Sequence, residues 1–75
     1  MKIYILEWYG WRHNSTSFLC VFEKLELALR FEPKPKDTDG ELILRESWLN
    51  TIGSRVIQKR VIYTDGTDEG WKPYD

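Results

Sequence analysis

One cysteine and one histidine are all that 75 residues provide for thiol, imidazole or soft-metal chemistry. Cys20 has no second cysteine to pair with, so no disulfide forms within the chain. A closed zinc site needs four ligands, and Cys20 and His13 are the only soft ones available. No apolar run approaches the ~18–20 residues of a membrane-spanning helix. The opening segment, Met1 to Glu7, has one positive charge, but Glu7 breaks its apolar run and no small-residue cleavage site follows, so it does not read as a signal peptide. A lone unpaired thiol suits a reducing compartment. The expected location is the cytoplasm of the cell that makes the protein, or of the host cell if a phage encodes it. There is also no large excess of either charge: the formal net charge is −1.

Aromatic residues are what the chain has in quantity. Four Trp, four Tyr and three Phe make up 15% of it, beside 31% charged residues. Aromatics bury a large area each. A chain of this length buries a smaller share of its surface than a longer one, and short folds compensate with disulfides, a metal, oligomerisation or unusually good packing. The first two are excluded, which leaves packing or self-association. The whole chain, 1–75, reads as a single domain. Its last stretch, 64–75, reads as an acidic, aromatic tail.

Charge is spread unevenly along that domain. Residues 1–40 balance, with six basic and six acidic side chains. Residues 41–62 set Arg45, Arg55, Lys59 and Arg60 against Glu41 and Glu46, and residues 63–75 set Asp65, Asp68, Glu69 and Asp75 against Lys72. A nucleic-acid binder usually carries a pronounced basic face. Here the basic strip is modest and an acidic stretch follows it.

Alternation and propensity define the elements. Lys2 to Trp11 reads as a strand, with Ile3 and Ile5 on one side and Tyr4, Leu6 and Trp8 on the other. Arg12 to Ser15 is polar and turn-like, and Thr16 to Phe22 reads as the returning strand of a hairpin. Glu23 to Phe31 fits two periods. Leu25, Ala28 and Leu29 make a helical stripe, whereas Leu25, Leu27, Leu29 and Phe31 alternate as in a strand. Strong helix formers and the lack of β-branched residues favour the helix. Pro33 and Pro35 stop either element, and Glu32 to Gly40 has loop composition. Glu41 to Leu49 reads as a third strand, or as a strand closing in a helical turn near Trp48, Leu49 and Ile52. Arg55 to Thr64 reads as a fourth. The expected fold is α+β, a four-stranded, mainly antiparallel sheet with one short helix in the order ββαββ; the strand reading of 23–31 makes it all-β. One short helix shields one side of such a sheet. The apolar side bearing Tyr4, Leu6 and Trp8 is therefore expected to need another cover: a second copy, a partner or the aromatic tail.

The stretch Lys-Ile-Tyr-Ile-Leu-Glu-Trp-Tyr-Gly, followed by a hairpin into Val21-Phe22-Glu23 and by Leu25 to Ala28, resembles small uncharacterised bacterial and phage domains. Those open with a K-[IV]-Y-[IV]-L strand and place a short helix after a Val-Phe pair. The resemblance spans the first thirty residues or so. It implies a ββα opening and a bacterial or phage source. It carries no activity and no site residues.

The chemistry on offer is thin. His13 sits in an expected turn and Cys20 in an apolar strand, which reads as a surface histidine and a core thiol rather than a nucleophile with its base. A small ribonuclease built on Arg12, His13, Lys59, Arg60 and Tyr63 is conceivable, but it must gather a polyanion against a net negative charge. Asp65-Gly-Thr-Asp-Glu-Gly70 resembles the start of a calcium loop, and the chain ends before the twelfth position that an EF-hand requires. No glycine-rich phosphate motif is present. No cofactor is expected.

Binding is the better expectation. Trp8 and Trp48 fit a core, whereas Trp11 beside Arg12-His13, and Trp71 beside Lys72-Pro73-Tyr74, lie in polar segments. Exposed Trp, Tyr and Arg supply much of the energy at protein interfaces. The leading expectation is a non-enzymatic module acting by protein–protein contact, an inhibitor or accessory protein of phage or mobile-element type. Its contact surface would comprise Trp11, Arg12 and His13 in the hairpin turn with Asp65, Asp68, Glu69 and Trp71 in the tail, the acidic groups engaging a basic groove. A second expectation is a homo-oligomer whose Trp8, Trp48, Arg55, Lys59 and Arg60 hold a nucleotide or other small anion. A third is single-stranded nucleic-acid binding along the fourth strand.

Overall fold

The computed structural model describes residues 1–34, 37–50 and 52–74. Five strands and one short helix follow one another as β1 (Lys2–Gly10), β2 (Ser15–Phe22), α1 (Leu25–Leu29), β3 (Gly40–Trp48), β4 (Arg55–Ile62) and β5 (Asp68–Pro73). The strands form one antiparallel sheet in the order β2-β1-β3-β4-β5. The α+β, mainly antiparallel architecture is as expected, with one correction: the described residues form five strands, not four.

The fifth strand is the segment read as a tail. Its charges hid it. Thr64 to Thr67 forms a tight turn in which Gly66 takes φ 96°, a left-handed conformation that glycine adopts without a Cβ clash. Asp65 accepts a hydrogen bond from the Thr67 amide at 2.8 Å, the Gly66 amide donates to the Tyr63 carbonyl, and the Tyr63 amide donates to the Thr67 carbonyl. The chain thus turns back along β4, with Arg60 opposite Trp71 and Lys59 opposite Lys72.

The helix is where propensity placed it, but it is five residues long rather than nine. Lys24 is extended (φ −125°) and Arg30 closes the last turn. Such a segment is too short to persist on its own propensity. Packing holds it: Ala28 is fully buried, and Leu25, Leu29 and Phe31 lie against the core.

The core lies between this helix and one face of the sheet. Leu6 and Trp8 on β1 meet Leu44 and Leu42 on β3, and Tyr4, Leu19, Phe22, Ile57, Ile62 and Trp71 surround them. Side chains on adjacent positions of a strand point to opposite faces, so Ile3, Ile5, Glu7 and Tyr9 lie on the other side. The expectation that Tyr4, Leu6 and Trp8 would lack cover is therefore corrected. β1 is apolar on both faces, and α1 packs on that one. Gly10 and Gly40 pair across the end of this layer beneath the Trp8 indole. A Cβ on Gly40 would fall 2.3 Å from the Tyr9 carbonyl oxygen and 2.7 Å from the Trp8 ring. Only glycine fits there.

The loop from Phe31 to Asp39 is tied down at its far end. Thr38 is buried, Trp11 donates its amide to the Asp39 carbonyl at 3.0 Å, and the Thr64 amide donates to Asp39 Oδ1 at 2.7 Å. Pro35, the second of the two expected stops, lies outside the described residues. The third strand is as expected to within a residue at each end, and the alternative of a helical turn near Trp48 gives way to a turn with Asn50 at φ 68° and Gly53 at φ 108°. Thr51 lies outside the described residues. Among the described residues, no helix is long and apolar enough to cross a membrane.

Candidate protein-interaction surface

Among the described residues, neither the helix nor the stretch that follows it lies over the second face of the sheet, which is bordered by the β3–β4 turn, where Ser47 Oγ donates to the Gly53 carbonyl, and by Tyr74 beside Lys59. The helix and the stretch that follows it all sit on the core side, where Trp71 Nε1 donates to the Leu29 carbonyl at 3.1 Å and Arg60 Nη1 to that of Phe31 at 3.4 Å. Strand register places Thr16, Phe18 and Val21 of β2, Ile3, Ile5, Glu7 and Tyr9 of β1, and Glu41, Ile43, Arg45 and Ser47 of β3 on the open face. Val56, Lys59 and Val61 of β4 and Lys72 of β5 continue it.

Two diagonal ion pairs cross the middle of this face. Arg45 Nε donates to Glu7 Oε1 at 2.6 Å, and Lys59 Nζ lies 3.5 Å from Glu41 Oε1. Lys59 also lies 4.6 Å from the centre of the Tyr74 ring, a cation–π contact. Between the pairs, Ile43 is only 8% exposed, so its neighbours on the sheet shelter it. The greasy surface lies to one side. Phe18 is 65% exposed and Val21 45%, both on the edge strand β2. The open face thus grades from charge-paired over β3 and β4 to apolar over β1 and β2.

The residues expected to bind do not gather into one site. Trp8 is core. Trp71 is half-buried, with its indole N–H spent on the helix carbonyl, so its polar neighbours misled. Trp48, a core candidate by sequence, is 55% exposed at the end of β3, with Lys2 Nζ 5.4 Å from its ring centre. The anion set is dispersed as well. Lys59 is on the open face, Arg60 faces the core side, and only Trp48 and Arg55 share a hollow, beside Ile52 and Gly53 at the β3–β4 turn.

The other contact set is brought to one end of the molecule, where all but the exposed Arg12 side chain are engaged. Trp11 stacks edge-on against Tyr63 with ring centres 5.9 Å apart. His13 Nε2 lies 3.6 Å from Asp37. The Tyr63 hydroxyl donates to Glu69, and that hydrogen bond raises the Tyr63 pKa above its usual value. Glu69 also pairs with Lys72 at 3.2 Å. Asp68 receives Arg60 through both oxygens. Those hydrogen bonds hold the Asp68 carboxyl below its usual range and raise Arg60 further. Asp65 is held low by the Thr67 amide and hydroxyl. These carboxylates build the β4–β5 turn and strand, and each accepts hydrogen bonds from within the chain. At the opposite end, burial alone raises Glu46, but hydrogen bonds from Arg55 and Lys2 outweigh it and leave the carboxyl below its usual value.

The basic residues of the sheet are equally committed. Arg45, Arg55, Lys59, Arg60 and Lys72 each hold a carboxylate. A polyanion would have to displace those partners from every cation on the fourth strand. Among the described residues no three His, Cys, Asp or Glu side chains gather as a metal-binding set. His13 is in the β1–β2 turn, and Cys20 Sγ, on β2, points to the Val21 carbonyl.

Comparison with protein-family models, with curated proteins and with solved structures finds no match for this chain. The reading of the surface therefore rests on its geometry. Sequence reasoning missed Phe18 and Val21. The signal was present: Ser15 to Phe22 contains no charged residue and no proline, and the first hairpin puts one of its strands at a sheet edge.

Proposed function

We propose that the chain is a non-enzymatic binding module that works by protein–protein contact, in the manner of an inhibitor or accessory protein, through the open face of its sheet. The supporting observation is the exposure of Phe18 and Val21 side by side on an uncovered face. Contiguous exposed apolar surface of this kind, rimmed by polar groups, marks interaction sites, and aromatic anchors carry a large share of interface energy. The Glu7–Arg45 and Glu41–Lys59 pairs form the polar rim on one side. A thiol that has no partner in the chain is compatible with work in a reducing cytoplasm.

The test is capture from the native cell followed by mass spectrometry, with three baits: the wild-type chain, Phe18→Lys and Ile52→Lys. Ile52 is fully exposed on the β3–β4 turn, at the other end of the sheet strands from the β1–β2 turn and not on β2. A partner held by the wild type and by Ile52→Lys, but lost with Phe18→Lys, supports the open face. A partner lost with Ile52→Lys and kept by Phe18→Lys moves the site to the Trp48–Ile52 end and rejects the proposal.

A further inference from the structure

The two edges of the sheet are unlike. Edge strands expose unpaired backbone groups, and stable proteins guard them with charge, proline, brevity or bulges. β5 has all four: it is six residues long, carries Asp68, Glu69, Lys72 and Pro73, and its pairing with β4 shifts register after Arg60. β2 runs eight residues, Ser-Thr-Ser-Phe-Leu-Cys-Val-Phe, with no charge and no proline. Its one irregularity, at Leu19, turns that side chain into the core.

We infer that β2 pairs antiparallel with β2 of a second copy of this chain, joining two sheets into one and two open faces into one surface. This rests on the open-face reading above and names its first partner. Three observations support this pairing, and the second favours a copy of this chain over an unrelated strand. The strand is uncharged along its length, so self-pairing opposes no like charges. Arg12 precedes it, and the net-negative stretch of Glu23, Lys24 and Glu26 follows it; all four are exposed, and among the described residues none is in an ion pair. Antiparallel pairing about a two-fold axis brings Arg12 of each copy towards these carboxylates of the other, so the charge match is made twice. Finally, Phe18 and Val21 are on this strand, so the pairing covers their flanks as it satisfies the backbone.

Cys20 reports on the geometry. In an antiparallel pairing centred on the strand, the two Cys20 Cα atoms lie roughly 11 Å apart, from ~3.4 Å rise per residue and ~4.8 Å between strands. The experiment is sedimentation of the full chain over a concentration series, with cross-linking by a short bismaleimide. The expected result is a monomer–dimer equilibrium, a cross-linked dimer that Cys20→Ser abolishes, and a dimer dissociation constant raised at least tenfold by Ser17→Lys but not by Ile52→Lys. Circular dichroism confirms that each variant is folded, and Thr16→Lys replaces Ser17→Lys if the latter is not. A monomer at every concentration overturns the inference, as does a dimer that resists cross-linking through Cys20 and ignores Ser17→Lys. If the monomeric chain still captures a protein in a Phe18-dependent way, only self-pairing has failed. If the dimer forms but capture is indifferent to Phe18, only the proposed function has failed.

Discussion

The two faces of this sheet are made from the same strands and differ in what covers them. On one, Leu6, Trp8, Leu42 and Leu44 are sealed beneath a five-residue helix and the chain that follows it. On the other, Ile3, Ile5, Phe18 and Val21 share the surface with salt-bridged carboxylates and, among the described residues, have no helix or strand above them. The covered face holds the fold together. The open face is available for contact. In β1 the open side carries Glu7, and β3 sharpens the difference, with Leu42 and Leu44 on the covered side and Glu41 and Arg45 on the open one; the packing of Ala28 and its neighbours completes the core on the more apolar side. Substitutions should therefore separate into those that cost stability and those that cost binding.

The largest expected loss is on the covered face. Leu44→Ala removes a fully buried side chain from the centre of the core and should lower unfolding stability by about 2–5 kcal/mol, read by denaturant titration. Gly40→Ala should cost about 3 kcal/mol, because its new methyl group meets backbone as well as a ring, and overpacking of that kind ranges over ~1–3 kcal/mol and sometimes more. A Gly40→Ala protein as stable as wild type would break the account of how Trp8 is seated.

A smaller effect belongs to the β4–β5 junction. Asp68 holds Arg60 at a site that is partly open to solvent, so Asp68→Asn should cost about 1 kcal/mol after allowance for screening. The same pair sets a pH dependence. Hydrogen bonds from Arg60 keep the Asp68 carboxyl below its usual value, so the folded chain binds that proton more weakly than the unfolded one does. The stabilisation is complete above the ordinary carboxylate range and is lost as the pH falls through the depressed folded value. Glu46 and Asp65 shift in the same direction. Thermal melts should fall as the solution is acidified below the carboxylate range, and the Asp68→Asn protein should show a shallower fall than wild type.

The smallest effect on stability is expected on the open face. Phe18→Lys should change unfolding stability by under about 0.5 kcal/mol, as surface substitutions usually do, while abolishing capture of the partner. A loss of 2 kcal/mol or more, on the scale of a core deletion, would mean that Phe18 belongs to the fold.

The sequence carried the first hairpin well. Apolar stretches in residues 2–11 and 16–22, joined by a polar turn, mark the two strands, but strict alternation would set Phe18 and Val21 on opposite faces, and the bulge at Leu19 brings them to the same one. The helix was legible in position because Leu25, Ala28 and Leu29 fall on one side, but its length was set by tertiary contact, with Lys24 extended and Arg30 closing the turn. Strand β5 was not legible. Asp68, Glu69 and Lys72 look like solvated charge until their partners, Arg60, Tyr63 and each other, are placed beside them. The candidate site was legible only in outline. An uncovered apolar face was expected, but on the wrong side, although Glu7 on β1 and Glu41 and Arg45 on β3 mark the Ile3–Ile5 side as the more polar one. Trp11 is partly exposed as expected. Trp71 is not, because its indole N–H found a helix carbonyl 42 residues away in sequence.

The most direct test reads methyl groups in solution. A soluble paramagnetic agent, added to the dilute chain, should broaden the methyl signals of Ile5, Val21 and Val61 and leave those of Leu6, Leu42 and Leu44 sharp. At concentrations where a complex forms, or with the captured partner added, Val21 should become protected. If the open-face methyls are already shielded in the dilute monomer, or stay exposed in the complex, the claim that this side of the sheet is the recognition surface is contradicted.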